Sequence, residues 1–207
     1  MSPGHIVRKI LGPAFKPIGE IYRRIFVDMA KVADWFAGHL PPNARVLDIG
    51  GGDGYMVNML LERRPDIAVT MTDIASQIGS FIEARHLPRV KLLAGTDADL
   101  VEGGFDVITL ADVVHHVPVS RREGFFAMLR GVADRTGAKS ILIKDIRPGS
   151  FRATLSLLSD IYITRDTGVS LVAETDIGIP GFRQTDRAMP DFPNYCIAFG
   201  AERGAAG

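Results

Sequence analysis

One short stretch of the chain, Asp48-Ile49-Gly50-Gly51-Gly52-Asp53-Gly54, places four glycines within five positions. Glycine turns tightly and lets a ligand lie against bare backbone, and a helix that begins directly afterwards presents unpaired N–H groups. Such a loop binds the nucleoside part of a cofactor. The dinucleotide fingerprint Gly-x-Gly-x-x-Gly does not fit it, because counting from Gly50 the third glycine falls on Tyr55. About twenty residues further on, Asp73 ends the apolar run Ala68 to Thr72, at a distance where a carboxylate accepts hydrogen bonds from both ribose hydroxyls. The bland role for Asp73 is a cap on a following helix. Two adjacent histidines, His115 and His116, follow a further apolar run, and Asp145 closes another. A neutral imidazole is a suitable base near neutral pH, so this group of residues can bind a nucleoside and move a proton beside it.

Short apolar runs alternate with helical patterns around these residues. The spacing predicts strands at Arg45 to Ile49, Ala68 to Thr72, Val90 to Leu93, Phe105 to Leu110 and Ser140 to Lys144, with helices at Tyr55 to Arg63, Ser76 to Arg85, Ser120 to Asp134 and Phe151 to Ile161. Before them, Ile25, Phe26, Met29, Val32, Ala33, Phe36 and Leu40 recur at helical spacing until Pro41-Pro42-Asn43 stops the pattern, with Trp35 on its flank as a packing aromatic. Strand then helix with short turns gives a doubly wound α/β fold, a parallel sheet covered on both faces, whose ligands bind beyond the carboxyl ends of the strands. The chemistry-bearing residues all fall at those ends.

The spacing Asp48-x-Gly50-x-Gly52-x-Gly54, with the segments Gly95-Thr96-Asp97-Ala98 and Ala111-Asp112-Val113-Val114-His115-His116-Val117-Pro118, resembles the class I S-adenosylmethionine-dependent methyltransferases of small-molecule type. The resemblance implies a seven-stranded, mostly parallel sheet with an antiparallel last strand, its closing hairpin at Arg183 to Met189 and Asn194 to Ala201. It implies S-adenosyl-L-methionine as cofactor, held by Asp48, Gly50, Gly51 and Gly52 in the loop, by Asp73 and Ile74 at the ribose, and by Asp97 and Ala98 at the adenine, with Asp99 as an alternative to Asp97. Asp112, in the segment beside the transferred methyl group, is a further cofactor-binding residue, and Tyr22 reaches toward the methionine carboxylate. His116 aligns with the family's usual histidine, which puts it ahead of His115 as the base; Asp145 faces the same cleft. The segment Ser159 to Gly168 and the N-terminal helices would shape the acceptor pocket, with residues 1–42 as a helical lid on a single domain spanning 1–207. Where relatives carry a complete helix, Val172 to Pro180 runs directly into Gly181-Phe182, a shortened connection that leaves open whether the chain pairs as a homodimer.

The reading is an enzyme that methylates a small-molecule acceptor, an oxygen of a phenol, quinone or secondary metabolite. Carbon or nitrogen acceptors, and a binding module without turnover, are the alternatives. The 24 basic residues balance 24 acidic ones, which gives no electrostatic reason to expect nucleic acid or an anionic membrane. The single cysteine, Cys196, sits in an apolar run and reads as a structural thiol in a reducing compartment. No run of roughly 18 apolar residues occurs and the N-terminus lacks a signal-peptide pattern, which points to a cytoplasmic protein with no stable membrane insertion.

Overall fold

A computed structural model describes residues 28–151, 153–154 and 169–202. Helix α1, Met29–His39, is capped at its start by the Asp28 carboxylate, which accepts from the Lys31 backbone N–H. It buries Val32, Ala33 and Phe36, one face of the predicted pattern. Strand β1, Arg45–Ile49, follows, then α2, Tyr55–Arg63, β2, Ala68–Asp73, β3, Val90–Ala94, β4, Val107–Ala111, α3, Arg122–Thr136, and β5, Ser140–Ile146. The long hairpin of β6, Phe182–Asp191, and β7, Asn194–Ala201, completes one seven-stranded sheet in the order β3-β2-β1-β4-β5-β7-β6. The first five strands pair in parallel, and β7 lies antiparallel to both β5 and β6. This is the doubly wound sheet with an antiparallel last strand expected of the sequence.

Side-chain alternation divides the core in two. Val46, Val107, Leu142, Cys196 and Ala198 point to the face covered by α1 and α2, together with Phe36, Leu60 and Leu61. Their immediate neighbours Leu47, Ile108, Ile141, Ile143, Ile197 and Phe199 point to the other face, against Phe126, Leu129 and Val132 of α3. Strands buried on both faces are the reason their sequences are nearly continuous apolar runs. The Cys196 thiol is fully buried in the first layer, and burial pushes its pKa up to about 12, so it is an inert packing group. Trp35 packs against the same layer, its ring 4.0 Å from that of His39.

One predicted element is absent. Ser76 to Arg85 forms turns rather than a helix, and only a 3₁₀ turn at Leu87–Arg89 precedes β3. The reason lies at Gly79, which takes a left-handed φ of +74° that no helix accommodates. In that conformation the Gly79 N–H donates to the Gly52 carbonyl and the Phe81 N–H to the Asp53 carbonyl. A Cβ on Gly54 would stand 3.1 Å from the Gly79 Cα and 2.7 Å from Ile82. The segment therefore gives up helical bonding to buttress the glycine loop. Of the predicted helix Phe151 to Ile161, residues 151, 153 and 154 are helical and the rest lies outside the described residues. Among the described residues no helix is long and apolar enough to cross a membrane.

Candidate active site

The glycine loop leaves β1 and enters α2 through three left-handed glycines, Gly50 at φ +71°, Gly52 at +53° and Gly54 at +80°. The Gly50 and Gly51 N–H groups donate to the Thr72 carbonyl, which ties the loop to the end of β2. A side chain on Gly51 would run into the Asp48 carboxylate and Met71, and one on Gly50 would meet Val113 at 2.7 Å. Nothing lies within 4 Å of the Cβ direction of Gly52, so the loop offers open backbone there. Asp48 beneath the loop is buried. Its Oδ1 accepts from the Thr109 hydroxyl at 2.7 Å, while Oδ2 is buried without a hydrogen-bond partner. Burial raises its pKa to about 7, against the lowering effect of the Thr109 hydrogen bond and with the help of the Asp73 charge.

Asp73 stands at the carboxyl end of β2, where the Gly52 N–H donates to its Oδ2 at 2.9 Å and the Ala75 N–H to its Oδ1 at 2.8 Å. Each oxygen keeps a lone pair for a further donor. The capping role foreseen as its alternative does not apply, because no helix follows. Ile74 next to it is 79% exposed, an apolar side chain held at the rim of the loop. At the end of β3, Asp97 is exposed and opens a 3₁₀ turn at Ala98–Leu100; Asp99 is also exposed. The β2 and β3 ends are joined by the Thr72 hydroxyl, which donates to the Thr96 carbonyl at 2.7 Å.

On the other side of the loop, β4 ends in Ala111 and turns through Asp112 at φ +60° into a 3₁₀ turn at Val114–His116. His115 is buried there, and its Nδ1 lies 2.6 Å from Oδ1 of the fully buried Asp145 at the end of β5. Asp145 also accepts from the backbone N–H groups of His115 and Ile146. Burial drives its pKa up, but the charge and hydrogen bond of His115, with the Ile146 N–H and Lys144, outweigh that and hold it below the usual carboxylate range. An ionised Asp145 is an acceptor only, so it fixes a proton of His115 on Nδ1. The His116 ring lies 4.2 Å from that of His115 and is less buried.

Asp112, His115 and Asp145 each present a ligand-type atom within 4.8 Å of the others. Hydrogen-bonding partners already claim these atoms. The His115–Asp145 contact is a direct hydrogen bond, and Asp112 Oδ1 is 2.5 Å from the ammonium of Lys144. Lys144 and Thr109 are the polar residues of this region that sequence reasoning did not single out. The signal for Lys144 was a lysine beside Asp145 in the otherwise apolar run Ile141 to Ile146; Thr109 carried none. Tyr22 and Ser159 to Gly168 lie outside the described residues. The shortened connection is a wall of the site: Tyr195 donates its hydroxyl to the Val172 carbonyl at 3.0 Å, Ser170 N–H donates to the His115 carbonyl, and buried Glu174 pairs with Arg147.

A family described as a methyltransferase domain matches residues 47–138, from the glycine loop through α3. The matched segment, under half of the chain, is similar to methyltransferase domains. A highly reducing polyketide synthase from Glarea lozoyensis is 36% identical over 98 residues, covering 40% of this chain, which spans only 4% of that protein. Two solved structures share the fold of this methyltransferase domain. Magnesium protoporphyrin IX methyltransferase from Synechocystis PCC 6803, with bound S-adenosylhomocysteine, aligns with a TM-score of 0.61 at 17% identity, over 96% of this chain and all of that one. An O-methyltransferase from neocarzinostatin biosynthesis, in complex with S-adenosylmethionine and 2-hydroxy-5-methyl naphthoic acid, aligns at 0.65 and 18% identity over 93% of this chain and 58% of its own.

Proposed function

We propose that this methyltransferase transfers the methyl group of S-adenosylmethionine to an oxygen of a small acceptor of the phenol, quinone or secondary-metabolite kind, and that His115 and Asp145 remove the acceptor's proton. The observation that carries the reading is the buried His115–Asp145 pair at the ends of β4 and β5, next to the strand that bears the glycine loop. The residues fit the cofactor: Gly52 leaves space over the loop, and Asp73 has lone pairs left for the ribose hydroxyls. When bound, S-adenosylmethionine supplies a methyl group activated by its sulfonium sulfur. With Asp97 and Ala98 holding the adenine and Asp73 the ribose, the amino-acid end of the cofactor would be met at the end of β4 by Asp112, whose side chain is 37% exposed. His115 would take the proton from the acceptor hydroxyl and Asp145 would stabilise the imidazolium that results, while the bound cofactor would supply the methyl carbon, its bond to the sulfonium sulfur breaking as the bond to the acceptor oxygen forms and S-adenosylhomocysteine leaving.

The sequence favoured His116 for this role; the carboxylate on His115 moves the proposal to the neighbouring ring. The test is methyl transfer to a panel of phenols and hydroquinones, followed as S-adenosylhomocysteine release. His115→Ala is expected to lower turnover by about 10² to 10⁴-fold with cofactor affinity nearly unchanged, and His116→Ala by much less. Full activity in the His115 variant with loss in the His116 variant returns the role to His116.

A further inference from the structure

We propose that Lys144 is a positioning residue for the cofactor's amino-acid end, which it serves by holding Asp112 where the loose oxygen of that carboxylate meets the cofactor ammonium. The proposal rests on the cofactor placement above and adds a residue to it. Lys144 belongs to the apolar strand β5, yet its side chain is entirely buried. A buried ammonium is costly unless paired and hydrogen-bonded. Its counter-charge is Asp112, whose Oδ1 is 2.5 Å from Nζ while the side chain remains 37% exposed. A second tie runs between the same residues through the backbone, the Asp112 N–H donating to the Lys144 carbonyl at 2.9 Å. Together these fix Asp112 at φ +60°, a conformation that residues other than glycine adopt at a cost.

The conformation has a use. It carries β4 directly into Val113, whose side chain packs on Gly50, so that Asp112 sits on the rim of the glycine loop with one oxygen committed to Lys144 and the other open. The nearby carboxylates Asp48 and Asp145 are both buried, which leaves Asp112 to meet a cation from solvent. Lys144 does two things for that encounter. It keeps Asp112 from collapsing onto His115 or rotating into solvent, and it sets the approach of the ammonium along the single free oxygen. Its own positive charge is paired with Oδ1.

The test compares two probes, S-adenosylhomocysteine, which has the amino-acid end, and 5′-methylthioadenosine, which keeps the nucleoside and thioether but lacks it. In Lys144→Met, titration calorimetry is expected to show S-adenosylhomocysteine weakened by about 10- to 100-fold, the scale of a charge-assisted hydrogen bond, and 5′-methylthioadenosine unchanged. Unchanged affinity for S-adenosylhomocysteine, or equal weakening of both probes, overturns the proposal, the latter because a loosened fold weakens both. If the single variant does not fold, Asp112→Ser with Lys144→Met, which leaves no unpaired buried charge, carries the same expectation, and the same two outcomes overturn it. Failure of the parent protein to bind either probe would instead refute the cofactor placement itself.

Discussion

The two sides of the site are built from different materials. On the β2–β3 side, Asp73 is held by the backbone N–H groups of Gly52 and Ala75, and the Thr96 carbonyl takes the Thr72 hydroxyl. Main-chain geometry does the holding, and the carboxylates there range from half-buried Asp73 to exposed Asp97. On the β4–β5 side, side chains hold side chains: Asp145 holds His115, and Lys144 holds Asp112, with all but Asp112 buried. A half made of backbone tolerates substitution of its side chains with loss of binding alone. A half made of buried charged pairs couples chemistry to folding, because removing one member strands the other.

That difference predicts where the largest effect falls. Asp145→Asn keeps the volume of the side chain but presents an amide that can donate to Nδ1, which releases the proton position and lets Nε2 carry the proton instead. Turnover is expected to fall by about 10² to 10⁴-fold, since a wrongly protonated imidazole removes the base entirely. Affinity for 5′-methylthioadenosine should be unaltered, as the proposed function puts the nucleoside on the backbone-built side. Steady-state rates with calorimetry on the same preparation check both halves of the statement. An Asp145→Asn enzyme that turns over within a few-fold of the parent would leave His115 as a packing group.

The same division explains what could be read from sequence. Glycine spacing, apolar runs and the position of Asp73 are local patterns, and the strands, α2, α3 and the closing hairpin followed from them to within a few residues. The His115–Asp145 pair joins positions 30 apart and Lys144–Asp112 positions 32 apart, so neither pairing is written in a periodicity. The absent helix at Ser76 to Arg85 fails for a related reason. Its apolar residues keep helical spacing, but Ile82 is spent on Gly54 and Gly79 on the loop carbonyls, contacts made across the fold that local propensity does not contain.

Asp48 departs from the comparison, being a buried carboxylate on β1 between the two sides, and its titration gives the next effect in size. Folded, it titrates at about 7, above the ordinary 3.8 of an unfolded chain. Between those values the unfolded chain has released the proton while the folded protein still holds it, so unfolding gains from each rise in pH. The apo protein should therefore lose stability at this residue from about pH 4 up to about pH 7 and lose no more beyond it, a total on the order of a few kcal/mol. Asp48→Asn carries no such slope. Urea unfolding at pH 5 and pH 8 is expected to show the variant gaining on the parent at the higher pH. Parallel behaviour of the two proteins would mean that Asp48 is ionised throughout and that the loop solvates its second oxygen.

The smallest effect separates the two sides most cleanly. Asp73→Ala removes the acceptor for the ribose hydroxyls together with the carboxylate that takes the Gly52 and Ala75 N–H groups, yet Gly50 and Gly51 stay bonded to the Thr72 carbonyl and Gly79 still braces Gly52. The loop should keep its course, and the loss should appear as affinity of about 1.5 to 3 kcal/mol, the worth of hydrogen bonds to a charged acceptor. Because the ribose is common to both probes, S-adenosylhomocysteine and 5′-methylthioadenosine should weaken by the same factor, unlike the selective loss expected of Lys144→Met. Combining Asp73→Ala with Lys144→Met should then give additive losses for S-adenosylhomocysteine, as separate sites with no shared partner do. A selective loss in Asp73→Ala, or strong non-additivity in the double variant, would show that the two sides act as one and that the ribose assignment to Asp73 is wrong or incomplete.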